Sequence, residues 1–315
     1  MARAAEALRR GQLVAFPTET VYGLGADAAN AAAVKRLFAV KRRPRDHPMI
    51  VHIARAEQLA ELAEDVPDAA HALAAAFWPG PLTLVVPRNP ERVVPEVTGG
   101  RDTVGLRVPD HPLARSLLEA FGGGVAAPSA NRFGKVSATS AAHVRADLGD
   151  DVEVVLDGGA CRVGIESTIV DVTRPEPAIL RIGGVSRERI EATIGRGCVL
   201  RTAGEVAAPG TLASHYAPAA TIEPIEANAV ARRAREHIAA GKRVGVLALR
   251  QSFAGAPDQL VVLDPPGDED EYARVLYARL RAADEHGLDV LLVVVPPDTD
   301  GIGAAVGDRL RRAAG

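Results

Sequence analysis

The chain has 315 residues, of which 47% are hydrophobic and 24% are charged. This length suggests two domains, and the composition excludes a disordered chain because it supplies enough apolar material for sizeable cores. A formal net charge of −3 and an aromatic content of 3% argue against a generally basic nucleic-acid coat and against a base-stacking platform.

The sequence shows no signal segment and no membrane span. Residues 1–11 have the spacing of an amphipathic helix, and the longest apolar run, residues 290–297, is much shorter than the roughly 18–20 residues that a membrane span needs. Two cysteines, Cys161 and Cys198, share no metal-ligand spacing and are too few for a disulfide framework. We therefore expect a soluble cytoplasmic protein.

Strand-like and helix-like segments alternate through the first two-thirds of the chain. The apolar spacing predicts strands over residues 13–17, 49–53, 82–87, 103–108, 125–127, 152–156, 167–172 and 178–182. It predicts helices over residues 1–11, 31–40, 56–77 with a break near Pro67, 112–121 and 141–148, and after the candidate N-cap Ser186. Some gaps between strands are too short for helical crossovers, so we expect an α/β domain with a mixed sheet over residues 1–195.

The periodicity lapses before a second, smaller domain. The sequence AAPGTLASHYAP at residues 207–218 is typical of a connector, and we assign residues 196–219 to a linker. Over residues 220–315 the spacing predicts strands at 221–225, 244–249, 260–263 and 290–295, with helices at 229–240, at 269–286 and from Gly303. The strand at 290–295 is apolar throughout, as in a sheet covered on both faces, which predicts a small parallel α/β domain.

Two glycine-rich segments have the form of nucleotide-binding loops without the required context. GLGADA at residues 23–28 fits the dinucleotide fingerprint, but that motif must turn directly from a strand into a helix. Here PTETVY follows the strand, so we expect a flexible loop. GIGAAVG at 301–307 could bind an anion, although such glycines more often let one segment pack on another. The sequence contains no Walker loop, nucleophile elbow or metal-ligand spacing.

The densest cationic run is KRRPR at residues 41–45. It could be a solvated helix end, because cations there complement the helix dipole. Against this, Pro44 and Pro48 stiffen the backbone where the charges gather, so the loop could hold several phosphates with little ordering cost. The compact ammonium of Lys41 and the arginine forks beside it suit a triphosphate.

Three further features place polar groups among strand residues. PSAN at residues 128–131 offers a hydroxyl and an amide on one side of an extended loop, although an ordinary turn would look the same. EST at residues 166–168 interrupts an apolar stretch and indicates either a strand edge that faces water or the lining of a polar pocket. Arg107 and Arg181 lie within strand sequences, where a charge is costly unless it is paired or faces a site.

In this order, the motifs resemble those of the YrdC-like threonylcarbamoyl-AMP synthase family. The matching segments are PTETVYGLG at 17–25, KxRP at 41–44, WPGPLT at 78–83, RxP at 107–109, PSAN at 128–131 and EST at 166–168, and the connector with its tail resembles the longer, two-domain version. The resemblance implies a twisted mixed sheet with helices, followed by a linker and a small Rossmann-like α/β domain.

The same resemblance implies a reaction. Members condense L-threonine, bicarbonate and ATP to threonylcarbamoyl-AMP and pyrophosphate, with Mg²⁺ held through the ATP phosphates and not by direct protein ligands. The product supplies the threonylcarbamoyl group for adenosine 37 of ANN-decoding tRNAs through downstream transfer machinery. Both reactants are anionic, so charge neutralisation and alignment matter more than a covalent nucleophile. We expect no stable nucleic-acid binding.

The resemblance also assigns residues to the two substrates. Those expected at ATP are Lys41, Arg43, Arg45, Thr103, Ser129, Asn131, Ser137, Arg181 and Tyr216, with Lys41 and Arg43 catalytic. Those expected at L-threonine are Thr18, His52, Arg107 and Ser167, with Arg107 holding the carboxylate in a bidentate fork. Tyr216 would close over the phosphate end like a lid.

Two other functions remain open. The first is a non-enzymatic RNA-binding module that uses residues 35–45 as a phosphate patch; the near-neutral composition and the few aromatics count against it. The second is carbamoyl transfer in metallocentre assembly, which also uses a YrdC-like domain. It would require an acylphosphatase-like segment and zinc-finger cysteines, which this sequence does not show.

Overall fold

The computed structural model describes residues 1–201, 209, 216–250, 253–296 and 301–315. The chain divides into two compact units, the first of residues 1–133, 137–162 and 166–211, the second of residues 134–136, 163–165 and 212–315. Most of the linker predicted at residues 196–219 lies outside the described residues.

The first unit is a mixed sheet with helices between its strands, as the sequence predicts. Its strands are β1 (Val14–Phe16), β2 (Gly23–Asp27), β3 (Ile50–His52), β4 (Leu82–Pro87), β5 (Thr103–Arg107), β6 (Val125–Ala126), β7 (Val154–Val155), β8 (Thr168–Asp171), β9 (Ala178–Arg181) and β10 (Val199–Leu200). Its helices are α1 (Ala2–Arg9), α2 (Ala31–Lys41), α3 (Leu59–Leu62), α4 (Asp68–Phe77), α5 (Pro95–Thr98), α6 (Pro112–Phe121), α7 (Ala141–Leu148) and α8 (Arg187–Ile194), with short 3-10 turns at Ala56–Gln58 and Gly149–Asp151.

The sheet runs in the order β10-β9-β8-β4-β5-β3-β6-β2-β1-β7. The pairs β3/β5, β4/β8, β1/β7 and β9/β10 are parallel, and the other neighbours are antiparallel. Side chains alternate between the two faces of a strand. On one face, Val51, Leu84 and Leu106 pack with Leu37 of α2 and Leu73 of α4 in the main core.

Residues 23–27 form the buried strand β2, so the prediction of a flexible loop is wrong. β2 pairs with β1 on one side and with β6 on the other. A Cβ on Gly25 would lie 2.8 Å from Cγ1 of Val125 and 2.9 Å from Cε1 of Phe16. The glycine is required because neighbouring side chains approach this strand closely. Helix α5 and strand β10 are also absent from the sequence-based assignment.

The second unit is a parallel α/β fold, which confirms the prediction for the C-terminal part. Its elements are β11 (Thr221–Pro224), α9 (Val230–Ala239), β12 (Val244–Leu247), β13 (Val261–Val262), α10 (Glu269–Glu285), β14 (Val290–Val293) and α11 (Ile302–Ala314). The strands lie in the order β11-β14-β12-β13, and every pair is parallel. Across the described ranges of the chain, no helix is long and apolar enough to cross a membrane.

Candidate active site

A cleft opens on the sheet of the first unit, on the face opposite the main core. Its lining includes Ile50, Thr83, Thr103, Gly105, Leu180 and Pro209. Because strand side chains alternate, Arg107 shares a face with Thr103 and Gly105 on β5, and His52 shares a face with Ile50 on β3. The sheet face that floors the cleft therefore continues to Arg107 and His52, two residues predicted at L-threonine.

Arg107 forms a buried ion pair with Glu19. Its Nη2 donates to Oε1 of Glu19 at 2.6 Å, and its Nε donates to the carbonyl of Gly80 at 3.1 Å. The Arg107 side chain is 4% exposed and that of Glu19 is fully buried. The other oxygen of Glu19 accepts from the N–H of Asp110 at 2.9 Å. Nη1 of Arg107 has no hydrogen-bond partner among the residues that the structure describes.

The imidazole of His52 is buried beside Arg107, since the two residues are directly paired in β3 and β5. Its ring meets the Phe16 ring edge-on, with centroids 5.9 Å apart. Burial, reinforced by the charge of Arg107, lowers the pKa of His52 to about 3, so the ring is neutral at pH 7. Within the described part of the chain, Nδ1 of His52 has no hydrogen-bond partner. A buried nitrogen in this state suggests that a ligand supplies the partner.

Thr18 shapes the turn between β1 and β2. Its Oγ1 donates to the carbonyl of Val21 at 2.6 Å and accepts from the N–H groups of Thr20 and Val21, each at 3.2 Å. The hydroxyls of Thr18 and Thr20 also lie 2.8 Å apart. Thr18, Glu19 and Thr20 are all buried, although polar connections usually lie at the surface. The turn thus builds a polar wall beside Arg107.

Thr83, Ser167 and Arg181 form a hydrogen-bonded group at the cleft. The hydroxyls of Thr83 and Ser167 lie 2.8 Å apart. Nη2 and Nε of Arg181 donate to the hydroxyl and carbonyl of Ser167 at 3.1 and 3.0 Å, and Nη1 donates to the carbonyl of Pro209 at 2.7 Å. This group joins Ser167, predicted at L-threonine, to Arg181, predicted at ATP.

Lys41 joins the KxRP and PSAN motifs. It is buried at the end of α2, and its Nζ donates to the backbone carbonyls of Ser129 and Asn131. Burial, with the nearby charge of Arg43, lowers the pKa of Lys41 well below its usual range. Through these two hydrogen bonds, Nζ of Lys41 holds the PSAN loop against the cationic loop.

The remaining cations of this loop differ in exposure. Arg43 is mostly buried; its Nη2 donates to the carbonyl of Pro48 at 2.9 Å, and its guanidinium lies 5.6 Å from the centroid of the Phe133 ring. The Phe133 ring also meets His47 edge-on, with centroids 5.4 Å apart. Arg45 is exposed. Arg43 is thus fixed in place, whereas Arg45 faces solvent.

Tyr216 belongs to the second unit. Its buried ring stacks on Tyr277, with centroids 5.3 Å apart, and the guanidinium of Arg309 lies 5.8 Å from its centroid. Its φ of 66° is uncommon for a residue with a side chain. The other residues predicted at ATP and threonine lie in the first unit. Closure of Tyr216 over a nucleotide stays a prediction, and its neighbour His215 lies outside the described residues.

Three polar residues of the site escaped the sequence-based prediction. Glu19 binds Arg107, Thr83 binds Ser167, and Glu166 accepts from the buried hydroxyl of Ser137 at 2.8 Å. Each lies inside a motif that the sequence does single out: PTETVYGLG, WPGPLT or EST. Membership in these motifs is the signal that could have found them, because buried polar side chains need partners.

Two protein families match the chain in succession. The family Sua5_yciO_yrdC, described as Telomere recombination, matches residues 6–183. The family described as Threonylcarbamoyl-AMP synthase, C-terminal domain, matches residues 185–315. The two matches meet just before the start of helix α8 and together span nearly the whole chain.

Individual relatives match over the same length. The threonylcarbamoyl-AMP synthase of Pyrococcus abyssi is 45% identical over 324 residues, which cover 99% of this chain and 93% of the relative. That of Bacillus subtilis is 42% identical over 324 residues, covering 100% and 93%. The crystal structure of P. abyssi Sua5 complexed with L-threonine is similar with a TM-score of 0.91 at 42% identity, over 99% of this chain and 93% of that one.

Proposed function

Because this chain belongs to the Sua5/YrdC family and carries the C-terminal domain of threonylcarbamoyl-AMP synthases, we propose that it makes threonylcarbamoyl-AMP. The reaction would consume L-threonine, bicarbonate and ATP and release pyrophosphate and water. One observation carries this proposal: Arg107 and His52 lie paired and buried on the sheet face that floors the cleft, with Nη1 and Nδ1 lacking partners among the described residues.

The Arg107 end of the sheet face suits an amino acid. Nη1 of Arg107 can donate to the substrate carboxylate, and arginine is well matched to that group. The neutral ring of His52 can share a hydrogen bond with the amine or hydroxyl of threonine without repelling a cation. Thr18 and Ser167 are both buried, and their hydroxyls would complete the pocket.

ATP would occupy the cleft and the adjoining cationic loop. Residues proposed for it are Thr103, Ser129, Asn131, Ser137, Arg181, Arg43 and Arg45, with Lys41 holding the loop of Ser129 and Asn131. In the first step the threonine amine and bicarbonate form a carbamate and water; in the second the carbamate oxygen attacks the α-phosphorus and pyrophosphate leaves. The protein's task is to align two anions and offset their charge.

Magnesium would enter with the phosphates of ATP. Among the described residues, no group of three or more His, Cys, Asp or Glu side chains could hold a metal ion. Asp171 lines the cleft, but its Oδ1 accepts from the N–H and hydroxyl of Thr173 at 2.9 and 2.6 Å. We expect the phosphate oxygens of ATP to hold most of the coordination of Mg²⁺, which in turn neutralises phosphate charge.

The product would be passed on to tRNA modification. A carbamoyl adenylate is a mixed anhydride, so an acceptor must take it up before water does. We assign the acceptor to adenosine 37 of ANN-decoding tRNAs, reached through downstream transfer machinery in the cytoplasm, where ATP and tRNA are both available. The names of the relatives support this synthase and not the alternative of a non-enzymatic RNA-binding protein.

The basic run also fits the synthase better than an RNA-binding patch. Lys35 lies 3.1 Å from a carboxylate oxygen of Glu96, and Arg36 pairs with Glu153. Lys41 is buried. Part of the charge between residues 35 and 45 is therefore offset within the protein, which weakens a phosphate patch on the surface.

Pyrophosphate release tests the proposed function. Purified protein given ATP, L-threonine, bicarbonate and Mg²⁺ should release pyrophosphate, and mass spectrometry should detect threonylcarbamoyl-AMP. Omission of threonine or bicarbonate should abolish both signals. Release that does not depend on threonine would contradict the proposal, and tight tRNA binding without ATP turnover would favour the RNA-binding alternative.

A further inference from the structure

We propose that Glu19 is a positioning residue for the amino-acid substrate: it fixes the guanidinium of Arg107 so that only the edge carrying Nη1 is left for the substrate carboxylate. This inference rests on the proposed function, because it concerns the same site. Glu19 itself does not touch the substrate in this scheme; it acts through Arg107.

The contacts of Arg107 define which of its edges remains. Nε is bound to the carbonyl of Gly80, and Nη2 is bound to Glu19. These two bonds fix the plane and the rotation of a planar group, since a guanidinium has its N–H bonds in one rigid fork. Nη1 is left without a partner among the described residues, and Arg107 lies beside His52 on the sheet.

Glu19 is itself held firmly. Its oxygens accept from two different donors, Nη2 of Arg107 and the N–H of Asp110, and its side chain is fully buried. The turn that carries it is closed by the hydroxyl of Thr18. A carboxylate fixed at both oxygens transmits its position to Arg107, which a mobile surface carboxylate could not do.

The pair also sets the charge of the pocket. A lone buried guanidinium is costly, and Glu19 offsets that cost before any substrate arrives. The carboxylate of the amino acid then adds a second anion to Arg107. Recognition therefore depends on geometry more than on net attraction, which makes the orientation of the fork decisive for selecting a carboxylate.

Substitution of Glu19 by glutamine changes the hydrogen bonds of the side chain while keeping its size. Both oxygens of Glu19 face donors, so the amide NH₂ of glutamine must face a donor in either orientation. In Glu19→Gln, either Nη2 of Arg107 or the N–H of Asp110 therefore loses its acceptor. Glu19→Asp retains the charge in the buried pair but is one methylene shorter, so it cannot keep both bonds.

Glu153→Gln provides a matched control. Oε2 of Glu153 accepts from the N–H of Leu13 at 3.1 Å, and its other oxygen pairs with Arg36. It therefore also bridges a backbone donor and an arginine in the first unit. Unlike Glu19, it has no contact with Arg107, and its substitution should leave substrate binding unchanged.

Calorimetric binding of L-threonine, L-threoninamide and ATP to the full chain tests the inference, with thermal unfolding as a check on folding. In Glu19→Gln the Kd for threonine should rise about tenfold or more, because small displacements of positioning groups are costly. The Kd for ATP should stay within about twofold, and the preference for threonine over its amide should shrink. A purely structural role would not change that preference.

If Glu19→Gln does not fold, the same binding measurements are made with Glu19→Asp. Wild-type protein that fails to bind threonine would overturn the proposed function and this inference with it. Wild-type protein that binds threonine, together with a folded Glu19 variant of unchanged Kd and unchanged preference for the carboxylate, would overturn the positioning role alone.

Discussion

His52 and Arg107 occupy paired positions on the parallel strands β3 and β5, and the charge of Arg107 adds to burial in keeping the His52 ring neutral. The pair therefore offers one fixed cation and one uncharged ring. An amino acid presents one carboxylate and one amine, so a second cation in this place would repel the amine. The pairing thus matches a zwitterion better than a dianion.

Replacement of Arg107 by lysine should lower kcat/KM for threonine on the order of 10²-fold, because an ammonium cannot bind Glu19, Gly80 and a carboxylate as a planar fork does. Pyrophosphate release at varied threonine concentrations measures the loss. Arg36→Lys, which alters an arginine paired with Glu153 away from the cleft, is the control. Equal losses in the two variants would contradict the assigned role.

Lys41→Ala should reduce ATP-dependent pyrophosphate release on the order of 10²-fold and raise the KM for ATP. The carbonyls of Ser129 and Asn131 lose their buried donor, at a cost of about 1–3 kcal/mol for each unsatisfied group, and the loop between them is released. Lys35→Ala, on the exposed part of the same helix, should keep activity within about twofold. Activity of the Lys41 variant near that of Lys35→Ala would refute this role.

His52→Asn should make the protein less sensitive to acid. The folded pKa of about 3 lies below the usual 6.5, so the unfolded chain takes up the proton first, and stability falls as the pH drops from about 6.5 towards 3. At pH 5 this group alone costs the wild type about 2 kcal/mol relative to pH 7. Urea unfolding at both pH values measures the difference, with exposed His71→Asn as control. A variant with the wild-type loss would contradict the assignment.

Gly25→Ala should destabilise the first unit by about 1–3 kcal/mol, since the new methyl would meet Val125 and Phe16 at less than van der Waals distance. Gly23→Ala is the milder comparison, because its Cβ would lie 3.2 Å from that of Ala127. Urea unfolding of the two variants should show the larger loss at Gly25. The reverse order would mean that the strand can shift to make room.

Helices and strands that lie between clear start and stop residues were predictable from the sequence. Helices α6 and α7 and strand β4 have the predicted limits, because an apolar periodicity runs between clear start and stop residues in each. Strand β2 was not predictable in this way. Its glycines are typical of a loop, and the reason for them, the approach of Phe16 and Val125, exists only in the folded sheet.

Some residues of the candidate site could likewise be predicted from the sequence, and others could not. Arg107 and Arg181 could be found because a cation among strand residues needs a partner or a ligand. Their partners could not be named: Glu19 lies 88 residues from Arg107, and the carbonyls that bind Lys41 lie 88 and 90 residues away from it. No local pattern says which distant group a buried charge will meet. The family resemblance identified the motifs, whereas the contacts between them are seen only in the folded sheet.

The antiparallel pairing of β1 with β2 has a consequence for how this chain can vary. Phe16 pairs with Gly23, so residues 17–22 bridge a fixed gap, and Glu19 reaches Arg107 from within that bridge. One inserted or deleted residue would either turn Glu19 away or slip β2 by one position, which would exchange the faces of its side chains. Length polymorphism should therefore be absent from this bridge among functional homologues, even where its residue types change.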